Sequence, residues 1–402
     1  SRLGSAIWQK TKRKVKMEAE KLAGELLEIY AKREIAARAP YLQDTELDFQ
    51  LANGFKYEET PDQIQTIEEI KRDLEKQEPM DRIVCGDVGF GKTEVALRTM
   101  IKAVGSNYQV AMICPTTILA NQHFQNFKER LKNFPIKIAI LSRLQTKKEQ
   151  KEIIENLKKG SIDVVIGTHR ILSSDVEFKN LGLLVIDDEQ RFGVRQKEKL
   201  KNIRASLDVL SLSATPIPRT LYLALSSLKN ISLIQTPPVG RLPVKTFILP
   251  FSEKTVKSAI ENEISRKGQV YYLHNRVETI GTVKNFLEKL IPTAKFGIVH
   301  GRLNEKEIVK VMTDFSTQDG QAKKIDVLVA TTIIENGLDL PNVNALIVDD
   351  ASRLGLAEAY QIRGRIGRSY IQASAFFLYG VHLSEKAEMR LDALKEAEEL
   401  GS

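Results

Sequence analysis

From residue 81 onward, short apolar runs alternate with longer stretches whose apolar positions recur every three or four residues. A short apolar run bounded by turn residues reads as a buried strand, and the longer period reads as a helix. The alternation therefore predicts βα units and a parallel sheet. The expected strands of a first series are 82–85, 109–114, 137–141, 163–167, 183–187 and 209–212. The stretch from Thr236 to Pro243 breaks the pattern, because Pro237, Pro238 and Gly240 suit a linker better than an element. A second series follows at 246–249, 270–273, 296–299, 327–330, 345–348 and 375–378.

The expected fold class is α/β, with two tandem domains built on parallel sheets, each large enough for its own core. A long helix is expected ahead of them over residues 6 to about 38, where Ile7, Val15, Leu22, Leu26, Leu27, Ile29 and Tyr30 recur at helical spacing. The stretch from Ser384 is acidic and helical. The expected organisation is a linker helix over 1–42, domains over 43–235 and 236–383, and the start of a helical hairpin over 384–402.

Composition narrows the class. The chain has 402 residues, 42% hydrophobic and 28% charged, which excludes a disordered or collagen-like protein. Its longest apolar runs fall far short of the ~20 residues a membrane span needs. Lys and Arg number 60 against 52 Asp and Glu, and the +8 charge suits a polyanionic partner without requiring one. The basic cluster Arg2, Lys10, Lys12, Arg13, Lys14 and Lys16 fits either a solvated helix face or a contact with phosphates or an acidic partner. Cys85 and Cys114 show no CxxC spacing, which disfavours a disulfide scaffold or thiolate zinc site and suits a reducing cytoplasm. The five histidines form no HxxxH face. No apolar segment follows the basic opening, so no signal peptide is expected. The chain opens at Ser1 and closes at Gly401-Ser402, and it is expected to be a piece of something longer.

Three clusters carry chemistry. Gly86-Asp87-Val88-Gly89-Phe90-Gly91-Lys92-Thr93 follows a strand and opens a helix, the context that makes G-x-x-x-x-G-K-T a phosphate-binding loop. Its backbone N–H groups and the helix N-terminus favour anions, Lys92 reaches β/γ-phosphates, and Thr93 can ligate Mg²⁺. Asp187-Asp188-Glu189-Gln190 ends a strand, so Asp187 is the expected Mg²⁺ ligand, with a neighbouring carboxylate polarising the attacking water. Three arginines crowd into 363–368, within Gln361-Ile362-Arg363-Gly364-Arg365-Ile366-Gly367-Arg368. That loop suits bidentate contact with phosphates, and an arginine from a second domain would couple hydrolysis to domain closure.

Read in order, these clusters resemble the motifs of superfamily two helicases and translocases across residues 55–380. The resemblance implies two RecA-like domains, the first binding ATP with Mg²⁺. Gln63 looks like the adenine-reading glutamine, with Phe55 as its stacking partner. Thr116, Arg143, Thr168 and His169 look like the first domain's DNA contacts, and Arg302 and Thr332 like the second's. Ser213-Ala214-Thr215 and Gln361 resemble the coupling motifs, Gly337 and Asp339 belong to a nucleotide-facing motif, and Arg365 and Arg368 would approach the γ-phosphate.

Within the superfamily, two families carry a Gly-Asp-Val-Gly loop and the Ser-Ala-Thr-Pro-Ile-Pro-Arg-Thr-Leu stretch that begins here at Ser213: the transcription-repair coupling factors and RecG. Phe90, Gln190 and the lead-in from Tyr57 to Gln63 resemble the coupling factors more closely. That resemblance implies an ATP-dependent translocase on double-stranded DNA, gripping phosphates without sequence preference. RNA polymerase and excision-repair proteins would engage modules outside this chain. A cytoplasmic location and no membrane partner are implied. Two departures qualify this expectation: Asp188 stands where the family has glutamate, and the hairpin that should follow is cut short. They motivate a rival, a nucleotide-gated DNA-binding module with little turnover, beside a RecG-like fork remodeller.

Overall fold

The computed structural model describes residues 36–189, 192, 193, 196, 199, 200, 207–214, 230–316, 324–332, 342–367, 371–380, 385 and 388–393. The expected hairpin start lies mostly outside them, as does the lead helix over 6–35.

Seven strands form the first sheet: β1 (Asp81–Gly86), β2 (Gln109–Ile113), β3 (Ile138–Leu141), β4 (Val164–Gly167), β5 (Leu181–Asp187), β6 (Asp208–Ser213) and β7 (Asn230–Ile234). Their order is β3-β4-β2-β5-β6-β1-β7, all parallel. Around it run α1 (Glu46–Asn53), α2 (Pro61–Leu74), α3 (Lys92–Gly105), α4 (Thr117–Arg130) and α5 (Lys147–Lys159). The second sheet holds β8 (Lys245–Pro250), β9 (Gln269–Leu273), β10 (Phe296–Val299), β11 (Val327–Ala330), β12 (Val343–Val348) and β13 (Ser374–Tyr379). Its order is β10-β11-β9-β12-β13-β8, again all parallel. With it go α6 (Glu253–Ser265), α7 (Ile280–Leu290), α8 (Glu305–Phe315) and α9 (Leu356–Arg363). No helix among the described residues is long and apolar enough to cross a membrane.

Helices cover both faces of each sheet, which is why the strands read as unbroken apolar runs. Along β2, Val110 and Met112 pack into one core with Ile70, Leu97 and Phe127, while Ala111 and Ile113 pack into the other with Leu157 and Leu172. The same layering repeats in the second domain, where Tyr271 and Tyr272 of β9 enter opposite cores.

The two domains also repeat one another in strand order, β3-β4-β2-β5-β6-β1 against β10-β11-β9-β12-β13-β8. They share a buried polar clamp. At the start of β2, Gln109 Nε2 donates to the Leu157 carbonyl (3.0 Å) and the Ile162 carbonyl (2.8 Å). At the start of β9, Gln269 Nε2 donates to the Phe315 carbonyl (2.7 Å) and the Ile325 carbonyl (2.8 Å). Each glutamine satisfies the end of the crossover helix and the approach to the next strand, where unpaired carbonyls would be costly. Asp163 Oδ2 accepts from Lys137 N at 2.7 Å, and Asp326 Oδ2 accepts from Lys295 N at 2.9 Å, so the turns before β4 and β11 match as well.

Two expectations change. The lead helix does not run to residue 38, because 36–40 are irregular. Pro40 disfavours a helical Ala39, and Arg38 is held down by a pair with buried Asp208 (2.6 Å) and a backbone bond to the Gln77 carbonyl. The strand β7 was not expected. Its burial is uneven, and its place depends on a distant network. Arg82 of β1 donates to Asp73 Oδ2 (2.7 and 2.9 Å), Glu69 Oε2 (2.8 Å) and Ser232 Oγ (2.7 Å), and Asn230 Nδ2 also reaches Asp73 (2.9 Å).

Arg82 and Asp73 are both buried, so removing one partner strands the others. Arg82→Met should lower stability by about 3 kcal/mol, seen as a lower urea midpoint, since breaking a buried pair costs ~3–5 kcal/mol. An unchanged midpoint would show that the network is not what holds β7.

Candidate functional site

The turn between β1 and α3 is set by its glycines. Gly89 (φ 82°) and Gly91 (φ 84°) adopt left-handed backbone that a side chain would strain. Val88 N donates to Asp87 Oδ1 at 2.7 Å, tightening the loop. Lys92 Nζ folds over it and donates to the carbonyls of Gly86 (2.7 Å) and Asp87 (2.8 Å). A phosphate offered to this loop competes with two backbone carbonyls for that ammonium.

Gln63 braces the loop from behind. It sits at the start of α2, where its Oε1 accepts from Thr60 N (3.1 Å) in a reciprocal cap, and its Nε2 donates to the Phe90 carbonyl (2.9 Å). Both ends of the buried amide are thus engaged by protein backbone. The Phe55 ring lies 5.5 Å from Tyr57 and 5.7 Å from each of the Arg98 and Arg130 guanidinium groups.

Across the same sheet edge, β5 ends at Asp187, one strand removed from β1. Asp187 Oδ2 accepts from His123 Nε2 at 2.9 Å. Asp188 is buried at φ 49°, and its N–H bonds the Leu212 carbonyl at 3.1 Å. Glu189 Oε2 accepts from Ser211 Oγ at 3.4 Å. The Asp187 carboxylate and the Thr93 hydroxyl, on the first turn of α3, are hard oxygen donors of the kind Mg²⁺ selects. Cys114 joins the group: one donor atom each from Cys114, His123 and Asp187 lie within 4.8 Å of one another. Burial, then Asp187 and Asp188, push the Cys114 thiol well above its ordinary range, so it stays protonated and is a poor ligand. Burial likewise pushes the Cys85 thiol up to about 11, against the opposing charge of Lys92. The donor set therefore fits a hard cation beside a nucleotide and not a thiolate metal.

The second domain faces this loop. Arg241, in the linker, donates to the Val88 carbonyl at 2.7 Å and lies 5.2 Å above the Phe90 ring. Tyr360, Arg363 and Gly364 line a cavity with Asp87, Phe90 and Arg241. Burial and then Asp87 raise the Tyr360 hydroxyl's pKa above its ordinary value. Arg365 is buried and Gln361 half-buried. Ser213 ends β6 opposite Cys85, with Ala214 next in the chain. Thr215, Gln190, Gly337, Asp339 and Arg368 lie outside the described residues.

A second face runs along the tips of α4 and α8. Thr116 caps α4, its Oγ1 accepting from Leu119 N at 3.3 Å. Thr117 Oγ1 donates to Glu305 Oε2 at 3.0 Å, and Arg143 pairs with the same carboxylate. Thr168 is buried at the start of the short 3-10 helix His169–Leu172. Partial burial and then Arg143 hold the His169 imidazole below its ordinary value, against the pull of Glu305. Arg302 pairs with Glu278, and Thr332 Oγ1 donates to Asn275 Oδ1 at 3.4 Å. Sequence reasoning missed His123, Arg241 and Glu305, because their partners lie 64, 153 and 162 residues away.

Residues 60–223 match the DEAD/DEAH box helicase model, and residues 253–370 match the helicase conserved C-terminal domain. The transcription-repair-coupling factor of Bacillus subtilis (strain 168) is 49% identical, aligned over all of this chain and 34% of its own length. That of Staphylococcus aureus (strain USA300) is 47% identical with the same coverage. The chain thus spans about a third of the curated relatives it matches. A structure of RecG bound to a three-way DNA junction superposes with a TM-score of 0.74 at 34% identity, over 93% of this chain and 50% of that one. The fold alone is shared with S. cerevisiae Dbp5 bound to RNA and ADP BeF3, at a TM-score of 0.61 and 17% identity, over 88% of this chain and 93% of that one.

A Cβ on Gly91 would lie 2.4 Å from Gln63 Nε2, in backbone already at φ +84°. Left-handed backbone costs a side chain ~1–2 kcal/mol. Gly91→Ala should therefore weaken ADP binding by about tenfold or more, at 1.4 kcal/mol per tenfold, while the circular dichroism spectrum is retained. Titration calorimetry checks it, and undiminished affinity would show that the loop tolerates the clash.

Proposed function

The chain is a superfamily two ATPase carrying a DEAD/DEAH box domain and a helicase C-terminal domain, and from that premise we propose that it is the double-stranded-DNA translocase core of a transcription-repair coupling factor. The observation that carries this reading is the match to those factors at 46–49% identity along the whole chain. In the longer protein, translocation would push against stalled RNA polymerase and bring excision-repair proteins to the site through modules outside this chain. The two buried free cysteines suit a reducing cytoplasm.

On this reading, Lys92 leaves its carbonyls for the β/γ-phosphates, the loop's N–H groups hold the phosphate oxygens, and Gln63 and Phe55 take the adenine. Thr93 and Asp187 would hold Mg²⁺, whose charge would offset the negative charge that develops on the phosphoryl group. Asp188 or Glu189 orients the attacking water. Arg365 and Arg368 approach the γ-phosphate as the domains close, with Gly337 and Asp339 beside the nucleotide. Ser213, Ala214, Thr215 and Gln361 relay that closure. Thr116, Arg143, His169, Arg302 and Thr332 contact backbone phosphates, and Thr168, being buried, acts from beneath them. Phosphate contacts make binding sequence-independent and salt-sensitive. The RecG likeness supports a second reading, fork remodelling, which regression of a model fork would reveal.

ATP hydrolysis should rise when long linear duplex is added, and Lys92→Ala should lower the rate by ~10² or more, the scale of losing one preorganised charge donor. Duplex-independent hydrolysis would sink the translocase reading. Asp188→Glu reports on the short carboxylate: a rate rise of about 10² would mean that the missing methylene limits turnover. Glu305 holds Thr117 and Arg143, so Glu305→Gln should tighten binding of unrelated duplexes alike, read by fluorescence anisotropy at two salt concentrations. Weaker binding would mean that Glu305 supports the DNA face.

A further inference from the structure

The phosphate-loop reading assigns Asp187 to a divalent cation but gives His123 no task. His123 lies on α4, two turns in from Thr116 and Thr117, and its Nε2 meets Asp187 Oδ2 at 2.9 Å. The residue is 7% exposed, and its ring leans on buried Phe127, centroids 5.8 Å apart. Its Nδ1 is buried with no hydrogen-bond partner among the described residues. The tautomer that fits carries its proton on Nε2, which donates to the carboxylate, and leaves a lone pair on Nδ1. An N–H there would be buried without an acceptor, a costlier arrangement.

We propose that His123 is a positioning residue for the divalent cation: its Nε2–H fixes one oxygen of Asp187, so that the other is presented in a single orientation toward the metal-nucleotide. The proposal deepens the cation reading of Asp187 and rests on it. A carboxylate at a strand end rotates freely about its last bond unless something holds it, and partners of metal ligands set ligand orientation in this way. The alternative is a histidine that only fills the core beside Phe127.

The second domain supplies an internal control. There Asp349, directly after β12, accepts from His274 Nδ1 at 2.6 Å, yet no Gly-Lys-Thr loop stands on that sheet. A His–Asp pair thus recurs away from the Gly-Lys-Thr loop, though His274 pairs through Nδ1 and its Nε2 meets Thr279 Oγ1 at 2.7 Å.

The test measures binding of Mn²⁺ to the whole chain with ADP present, by the electron paramagnetic resonance signal of free Mn²⁺, beside ADP affinity in EDTA. Removing the partner of a metal ligand typically costs ~10–100-fold in affinity, so His123→Ala should weaken Mn²⁺ by about that factor and leave metal-free ADP binding unchanged. His123→Gln can still donate near the Nε2 position and should stay within about threefold. If the alanine variant does not fold, His123→Phe, which fills the space without a donor, carries the same contrast. His274→Ala should leave Mn²⁺ binding as it was. Asp187→Asn separates the two claims: if it weakens Mn²⁺ while His123→Ala and His123→Phe do not, the positioning role is wrong and the cation site stands. If Asp187→Asn has no effect, the cation reading and this proposal fall together.

Discussion

Because every neighbouring pair in both sheets runs parallel, each strand delivers its last residue to the same edge of its sheet. On the first sheet that edge receives Gly86, Cys114, Thr168, Asp187 and Ser213, at or just past the ends of β1, β2, β4, β5 and β6. Residues 64 positions apart in sequence, such as His123 and Asp187, meet there without any special loop. A parallel strand must also be regained by a crossover that covers a sheet face, so the polar chemistry can gather only at the edges. The phosphate loop, the carboxylates and the faces of the second domain are consequences of that one directional constraint.

The same constraint made much of the fold legible. Strands buried on both faces appear as short apolar runs, and twelve of the thirteen strands were expected from sequence, most within a residue or two of their ends. The exception, β7, is instructive. It is an edge strand whose Asn230 is exposed, so neither an apolar run nor a clean alternation marks it. What fixes it is the guanidinium of Arg82, reaching over Asp73, Glu69 and Ser232, and no pattern within five residues encodes a partner 150 positions away. The lead helix erred in the opposite sense, because its period continued past the point where Pro40 and the Arg38–Asp208 pair pull the chain off the helix.

The site divides along the same line. The loop from Gly86 to Thr93 was legible because spacing and glycine chemistry act locally. Gln63 was legible as a position, but its contacts are with Thr60 and the loop's own carbonyl at Phe90. Groups that act across the sheet or between the domains were not legible: His123 on Asp187, Arg241 on Phe90, and Glu305 between Thr117 and Arg143. Each is an ordinary polar residue whose role depends on the element packed beside it.

The two domains repeat one topology but differ at the corresponding first turn from strand to helix. β8 holds in the second sheet the place that β1 holds in the first, yet it ends at Pro250 and leads through Phe251 and Ser252 straight into α6, with no glycine in the turn. The second sheet therefore carries a His274–Asp349 pair at its edge but lacks the glycine turn that lets backbone N–H groups converge. What it turns toward the first domain is a hydroxyl and guanidinium groups, Tyr360 and Arg363, across the cavity at Asp87 and Phe90. The glycine-rich turn on one wall and cationic side chains on the other line one cleft between the domains. The Glu305 contacts on α4 tie the opposite face of the domains to that cleft. Two copies of one fold thus differ in the backbone at one corresponding turn, and on the reading proposed above that difference assigns the nucleotide phosphates to the first domain.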